Sequence, residues 1–180
     1  MTTYIVLLRG INVGGKNLLP MKELIRLLER HGMRDVRTYI QSGNVVLRHA
    51  GTKAGIETIA GSAVEKAFGF RPELIVLTAA DLDRVIARNP FPTAAEAPGS
   101  LHVTFLRSVP RHPDLKALET LKAANERFVL EPHAFYLHAP DGIGRSRLAA
   151  RIEKALGVAG TARNWRTVIQ LEAMAQAKGG

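Results

Sequence analysis

Cysteine is absent from this 180-residue chain, which excludes thiolate nucleophiles, disulfides and sulfur-ligated metals. Aromatic residues make up only 6% of the chain, with a single tryptophan. Tyr4 and Tyr39 stand alone in their strand patterns and Phe105 reads as core, so the aromatic platform of an RNA-recognition sheet is missing. No apolar run approaches the roughly 18 residues of a membrane span, and MTTYIVLLRG has no basic stretch before its short apolar run. The expectation is a cytoplasmic protein with no membrane partner. Serine is scarce, and neither Ser42 nor Ser100 sits in a nucleophile elbow. His31, His49, His102, His112, His133 and His138 lack metal-ligand spacing, so no metal and no cofactor is expected. His102 and His138 fall in strand patterns, where they either face each other or face solvent. Asp81 and Asp83, two apart at a helix start, read as capping and dipole complements.

What the chain does have is positive charge. Lys and Arg outnumber Asp and Glu by 25 to 16, a net charge of +9 carried mostly by arginine. Arginine's planar fork of donors suits phosphate and carboxylate, which favours an anionic partner. The bland alternative is arginine that merely solvates helix faces.

The element pattern is clearest in the first half. Tyr4 to Leu8 predicts a strand, and Leu24, Ile25, Leu27 and Leu28 predict a helix with Pro20 in its first turn and its end at His31-Gly32. Val36 to Ile40 and Val45 to Leu47 predict a hairpin turning at Ser42-Gly43. A helix from Lys53 to Ala67 and a strand from Pro72 to Leu77 complete a βαββαβ order. The second half predicts a helix at Ala79 to Arg88, a proline-rich junction, a strand at Leu101 to Leu106 and a helix at Asp114 to Ala123. A hairpin at Arg127 to Leu130 and Phe135 to His138, a helix at Arg147 to Leu156, a weak strand near Ala159 to Ala162 and a helix at Trp165 to Ala175 follow.

The expected fold class is therefore α+β: tandem ferredoxin-like half-domains with antiparallel sheets and an extra C-terminal helix. Residues 1–78 form the first unit, 79–100 the junction, and 101–178 the second unit with the terminal helix.

Four polar clusters carry candidate chemistry. Arg9-Gly10-Ile11-Asn12-Val13-Gly14-Gly15-Lys16 follows a strand but lacks P-loop spacing, because Lys16 precedes Asn17, and it lacks the dinucleotide-binding spacing as well. The N–H groups of Gly14 and Gly15 can still form an anion nest flanked by Arg9 and Lys16; alternatively the glycines serve only turn geometry and Asn12 caps local backbone. Gln41, Ser42 and Asn44 line the hairpin turn, which the topology brings to the same end of the sheet. The Gln41 and Asn44 amides suit base edges or a ligand carbonyl; alternatively Asn44 takes a left-handed turn conformation and Gln41 is an edge residue satisfied by water. Arg145 and Ser146 precede the Arg147 helix, where Ser146 reads as an N-cap and the helix start as a phosphate site. Finally, Arg163, Asn164, Trp165 and Arg166 place the tryptophan between two arginines at a helix start, for base stacking or for packing.

These residues also carry a resemblance. Y-I-V-L-L-R-G-I-N-V-G-G-K-N-L-L-P-M-K-E-L, Y-I-Q-S-G-N-V-V at residues 39–46, N-P-F-P at residues 89–92 and T-A-R-N-W-R-T-V at residues 161–168 together resemble the bacterial family catalogued as domain of unknown function 1697. The resemblance implies two ferredoxin-like units in tandem and brings no established activity. It marks Arg9, Gly10, Asn12, Gly14, Lys16, Met21, Leu24, Gln41, Ser42, Gly43, Asn44, Asn89, Pro90, Arg163, Asn164 and Trp165 as signature positions, and the polar ones imply a shared site.

The leading expectation is a non-catalytic module that binds a phosphate-bearing ligand: a nucleotide, a sugar phosphate or single-stranded nucleic acid. An enzyme acting on a small anionic metabolite is the first alternative, with Arg9 and Lys16 as an electrostatic clamp. The second is a structural or regulatory module whose arginines meet an acidic protein.

Overall fold

The computed structural model describes residues 1–177, and residue 178, the expected end of the second unit, lies outside them. The chain divides into two compact units. One comprises Met1–Arg84 together with residues 169–177, and the other Val85–Val168.

In the first unit β1 (Thr2–Arg9) lies between β3 (Asn44–His49) and β4 (Glu73–Thr78), with β2 (Arg34–Tyr39) outside β3, all antiparallel. β1 is central because Tyr4 through Leu8 are apolar without interruption and all buried. Tyr4, Val6 and Leu8 share one face and pack with Leu24 and Leu28 of α1 (Met21–Arg30) and with Ile56, Ala60 and Val64 of α2 (Lys53–Phe68). Pro20 is the residue before the first helical turn rather than part of it. Its extended ψ of 128° lies outside the helix, and its carbonyl accepts from Glu23 and Leu24. Thr52 caps α2 by accepting from the Gly55 N–H at 3.2 Å, and Gly69 ends it at φ 77°.

α3 (Ala79–Ala87) opens with a reciprocal cap: the Asp81 carboxylate accepts from the Thr78 N–H at 2.9 Å, and the Thr78 hydroxyl accepts from the Asp81 N–H at 3.1 Å. The Asp81 carboxylate also pairs with Lys53 at 2.8 Å and with Arg84.

The second unit repeats the plan. β5 (Leu101–Leu106) lies between β7 (Ala134–His138) and β8 (Gly160–Asn164), with β6 (Arg127–Glu131) outside β7. Phe135 and Leu137 pack with Leu118 of α4 (Leu115–Leu121) and with Ile152 and Leu156 of α5 (Ile152–Leu156). Asp114 caps α4 from outside by accepting from the Ala117 N–H. On the opposite face the buried Tyr136 hydroxyl donates to the Val85 carbonyl at 2.6 Å, and burial pushes that phenol up to about 12.

The helix expected over Arg147 to Leu156 is not continuous. Residues Ala149–Arg151 form a 3-10 turn, and only Ile152–Leu156 are α-helical before Gly157 turns left-handed at φ 68°. His102 and His138 do not face each other, because register pairs Leu101 with His138 and His102 with Leu137, which puts the two rings on opposite faces of the sheet. The last helix, α6 (Trp165–Gln176), begins at an Asn164 side chain that accepts from the Thr167 N–H at 2.9 Å. Near its end the Met174 carbonyl accepts from the Arg37 guanidinium at 2.6 Å.

Candidate functional site

The segment after β1 is a miniature hairpin held at its base by two core residues. Ile11 and Leu19 are buried with the first unit's core, whereas Val13 through Leu18 are exposed. Between them the Asn12 N–H donates to the Asn17 carbonyl and the Lys16 N–H to the Val13 carbonyl. Gly14 and Gly15 lie at the tip with φ of 59° and 72°. Two successive left-handed residues make a tight hairpin turn, not the alternating-hand pair of a backbone nest. The tip amides are nonetheless exposed, and a Cβ at either glycine would meet no atom within 4 Å.

Asn12 organises this loop. Its backbone is left-handed at φ 54°, its Oδ1 accepts from the Leu19 N–H at 2.8 Å, and its Nδ2 donates to the carbonyls of Leu19 at 3.0 Å and Gln41 at 2.9 Å. Asn17, also left-handed at φ 50°, donates from its amide to the Gly10 carbonyl at 3.0 Å. Asparagine suits both positions because its short amide tolerates the left-handed region and bonds nearby backbone.

The β2–β3 turn docks against the same end of the sheet. The Leu8 N–H donates to the Gly43 carbonyl at 2.8 Å, and a Cβ on Gly43 would lie 2.7 Å from the Leu8 Cβ. Only glycine fits there, since φ is also 77°. Asn44 is fully buried and its amide donates to the Tyr39 carbonyl at 3.1 Å and the Ser42 hydroxyl at 2.9 Å, so it builds the turn instead of presenting donors. Gln41 and Ser42 are exposed. The structure thus brings the first two sequence clusters together.

Their electrostatics are uneven. Arg9 lies opposite Glu73 in the β1–β4 ladder and pairs with it at 2.9 Å, so its charge is partly engaged. Lys16 is exposed and has no ion-pair partner among the described residues. Three large apolar side chains are exposed on the same two loops: Val13, which the hairpin sets opposite Lys16, at 68%, Leu18 at 64% and Ile40 at 53%. Ile40 is in addition left-handed at φ 50°, a conformation that a β-branched residue rarely takes. The motif reading missed this apolar trio. The legible signal was x-Gly-Gly-x between Val13 and Lys16, a hairpin-turn pattern that leaves its flanks in solvent.

The third and fourth clusters belong to the second unit. Arg145 is exposed, but Ser146 is buried and its hydroxyl accepts from the Ala149 N–H at 3.0 Å, capping a 3-10 turn. Five helical residues offer no long helix start for a phosphate. Arg163 is buried: its guanidinium donates to the Thr161 hydroxyl at 2.7 Å and the Ala162 carbonyl at 2.8 Å, and burial lowers it to about 10. Trp165 is buried as well, which leaves no ring face for a base, while Asn164 caps α6 and Arg166 is exposed. Among the described residues no three His, Cys, Asp or Glu side chains gather as metal ligands, and no helix is long and apolar enough to cross a membrane.

Two four-stranded antiparallel sheets with helices, repeated along one chain and followed by a further helix, define the class: a tandem α+β protein with a pinned glycine hairpin on its first unit. The chain belongs to the family described as protein of unknown function DUF1697, whose model matches residues 1–136. Among solved structures it is similar to the conserved bacterial protein SP0830 from Streptococcus pneumoniae, with 21% identity over 97% of this chain and 99% of that one at a TM-score of 0.73. That likeness concerns the fold. No curated protein sequence matches the chain.

Proposed function

We propose that this protein is a non-catalytic binding module whose ligand carries phosphate, and that the ligand is taken at the loop end of the first unit. One observation carries the reading: a hairpin tip pinned by Asn12 presents Lys16, without an ion-pair partner among the described residues, next to the exposed amides of Gly14 and Gly15. A cation and bare N–H groups on a preformed scaffold bind an anion at little ordering cost. Gln41 and Ser42 supply further polar groups from the neighbouring turn, and Arg9 contributes in competition with Glu73.

The non-catalytic part of the reading rests on the make-up of the loops. Residues 10–20 and 40–43 contain no carboxylate, histidine or cysteine, and the nearby Glu73 carboxylate is paired with Arg9, so nothing among these loop residues stands ready to activate Ser42 or Lys16 as a nucleophile. Asn44, Ser146, Arg163 and Trp165 are left to structural work on account of their burial, and Arg145 and Arg166 add only exposed positive charge.

A thermal-shift titration with pyrophosphate, nucleotides, sugar phosphates and short oligonucleotides tests the proposal. Ligand that binds only the folded state raises the melting temperature with concentration. The shift is expected to shrink in Lys16→Ala and to persist in Lys66→Ala, a substitution on α2. Equal shifts in both variants would sink the reading.

A further inference from the structure

The proposed anion site leaves three observations unused, and all three concern apolar surface. Val13, Leu18 and Ile40 are exposed on the two loops that Asn12 joins, and Lys16 lies opposite Val13 on the same hairpin. A bare phosphate or a sugar phosphate has nothing to set against three aliphatic side chains. A nucleobase does, since its faces are apolar and its edges polar.

Ile40 sharpens the point. The turn requires a left-handed residue at this position, which asparagine or glycine would accept without strain, yet an isoleucine stands there at φ 50° with its side chain in solvent. Its neighbour Gln41 uses its carbonyl to hold Asn12, while its side-chain amide makes no hydrogen bond to the described residues and is available to a base edge.

We propose that the ligand of the loop end is single-stranded nucleic acid, its phosphates meeting Lys16 and the tip amides and its unstacked bases lying on Val13, Leu18 and Ile40. The inference rests on the phosphate-binding reading and narrows it to one ligand class. Charge complementarity supports a polyanion, given the net charge of +9. A single strand is favoured over a duplex because a two-residue tip reaches splayed bases, whereas reading a duplex takes a helix or ribbon laid in a groove. An acidic peptide matches the charge, but its carboxylates sit on flexible stems without flat apolar faces. Aliphatic contact in place of aromatic stacking predicts modest, sequence-tolerant binding with a marked salt dependence.

The test is fluorescence anisotropy with labelled oligo(dT) and oligo(U) at several salt concentrations, with pyrophosphate calorimetry and a poly-glutamate peptide alongside. Ile40→Asn keeps a residue suited to the left-handed turn, and Leu18→Ser is a second variant independent of it; thermal melts confirm that each is folded. Both are expected to weaken oligonucleotide binding by roughly fivefold, the low end of what a base contact is worth. Pyrophosphate binding should not change in either. Lys16→Ala should weaken both ligands and lower the salt slope by about one. Oligonucleotide affinity unchanged in Ile40→Asn and Leu18→Ser overturns this inference while the phosphate reading stands. Binding of both ligands unchanged in Lys16→Ala overturns both. Poly-glutamate bound as tightly as oligonucleotide overturns the choice of nucleic acid in favour of an acidic protein.

Discussion

Asn12 and Gln41 are joined across 29 positions of chain by a 2.9 Å hydrogen bond from the Asn12 amide to the Gln41 carbonyl. The same side chain also holds both backbone groups of Leu19, so one residue ties the glycine hairpin to the core and to the β2–β3 turn. Asn12→Ala should cost about 1–3 kcal/mol, as expected when backbone partners are left unmet. Asn12→Gly relieves the left-handed φ of 54° but restores no hydrogen bond, so it should recover only part of the loss. Urea midpoints of the two variants measure the split.

The glycines differ in what they tolerate. A Cβ on Gly43 would collide with Leu8, whereas one on Gly14 meets open space, although both are left-handed. Gly14→Ala should lose about 1–2 kcal/mol from the φ penalty alone. Gly43→Ala should lose clearly more, and equal losses in chemical denaturation would refute the steric part of the argument.

Ile40→Asn is expected to raise stability. The substitution places a residue tolerant of the left-handed region where a β-branched one is strained, for a gain of about 1 kcal/mol. A fall in the melting temperature would mean that the half-exposed side chain contributes more packing than the strain costs.

Acid sensitivity should trace in part to Asp81. Burial works to raise its carboxyl, but the Lys53 hydrogen bond, the Thr78 N–H and hydroxyl, and the Lys53 charge outweigh it and hold the group at about 2, against 3.8 ordinarily. A depressed folded-state value stabilises above the unfolded value, and that stability is lost as pH falls from near 4 toward 2. Asp81→Asn should be less stable than the parent at pH 7, with the difference closing by about pH 2. A constant difference across that range would contradict the assignment.

A second pH effect has the same direction at milder acidity. His102 and His138 each bury an Nδ1 with no hydrogen-bond partner. Burial lowers His102 against the pull of the Ser100 carbonyl, and burial followed by the Arg127 charge lowers His138. The unfolded chain therefore takes up protons first as pH drops below 6.5, and stability falls there. His102→Gln should flatten the stability profile below about pH 6.5; an unchanged slope would exclude His102 as its source.

The fold was legible where burial has an apolar signature. Tyr4 to Leu8 reads as a central strand because five successive apolar residues are buried on both faces, and Leu101 to Leu106 is found with those same bounds. β8 was faint for the converse reason: its inward positions are Gly160, Thr161 and Arg163, and no hydrophobic scale marks them. The Arg147 segment carried helical spacing in Leu148, Ile152 and Leu156 but begins as a 3-10 turn, a difference of one backbone bond that periodicity does not register. At the candidate site, sequence identified the loops and their convergence. It did not separate Asn44, whose amide is consumed within its turn, from Gln41, whose amide is not, because partner choice depends on which carbonyls the fold delivers.

The hairpin tip has one more consequence, for how such a protein diversifies. Ile11, Asn12 and Leu19 bind the base of the loop, so the exposed side chains of Val13 and Lys16 can be exchanged at little expense to folding, whereas the left-handed Gly14 and Gly15 between them keep the turn. The flanks of the tip can therefore be recharged by single substitutions while the glycine turn and the scaffold beneath stay the same.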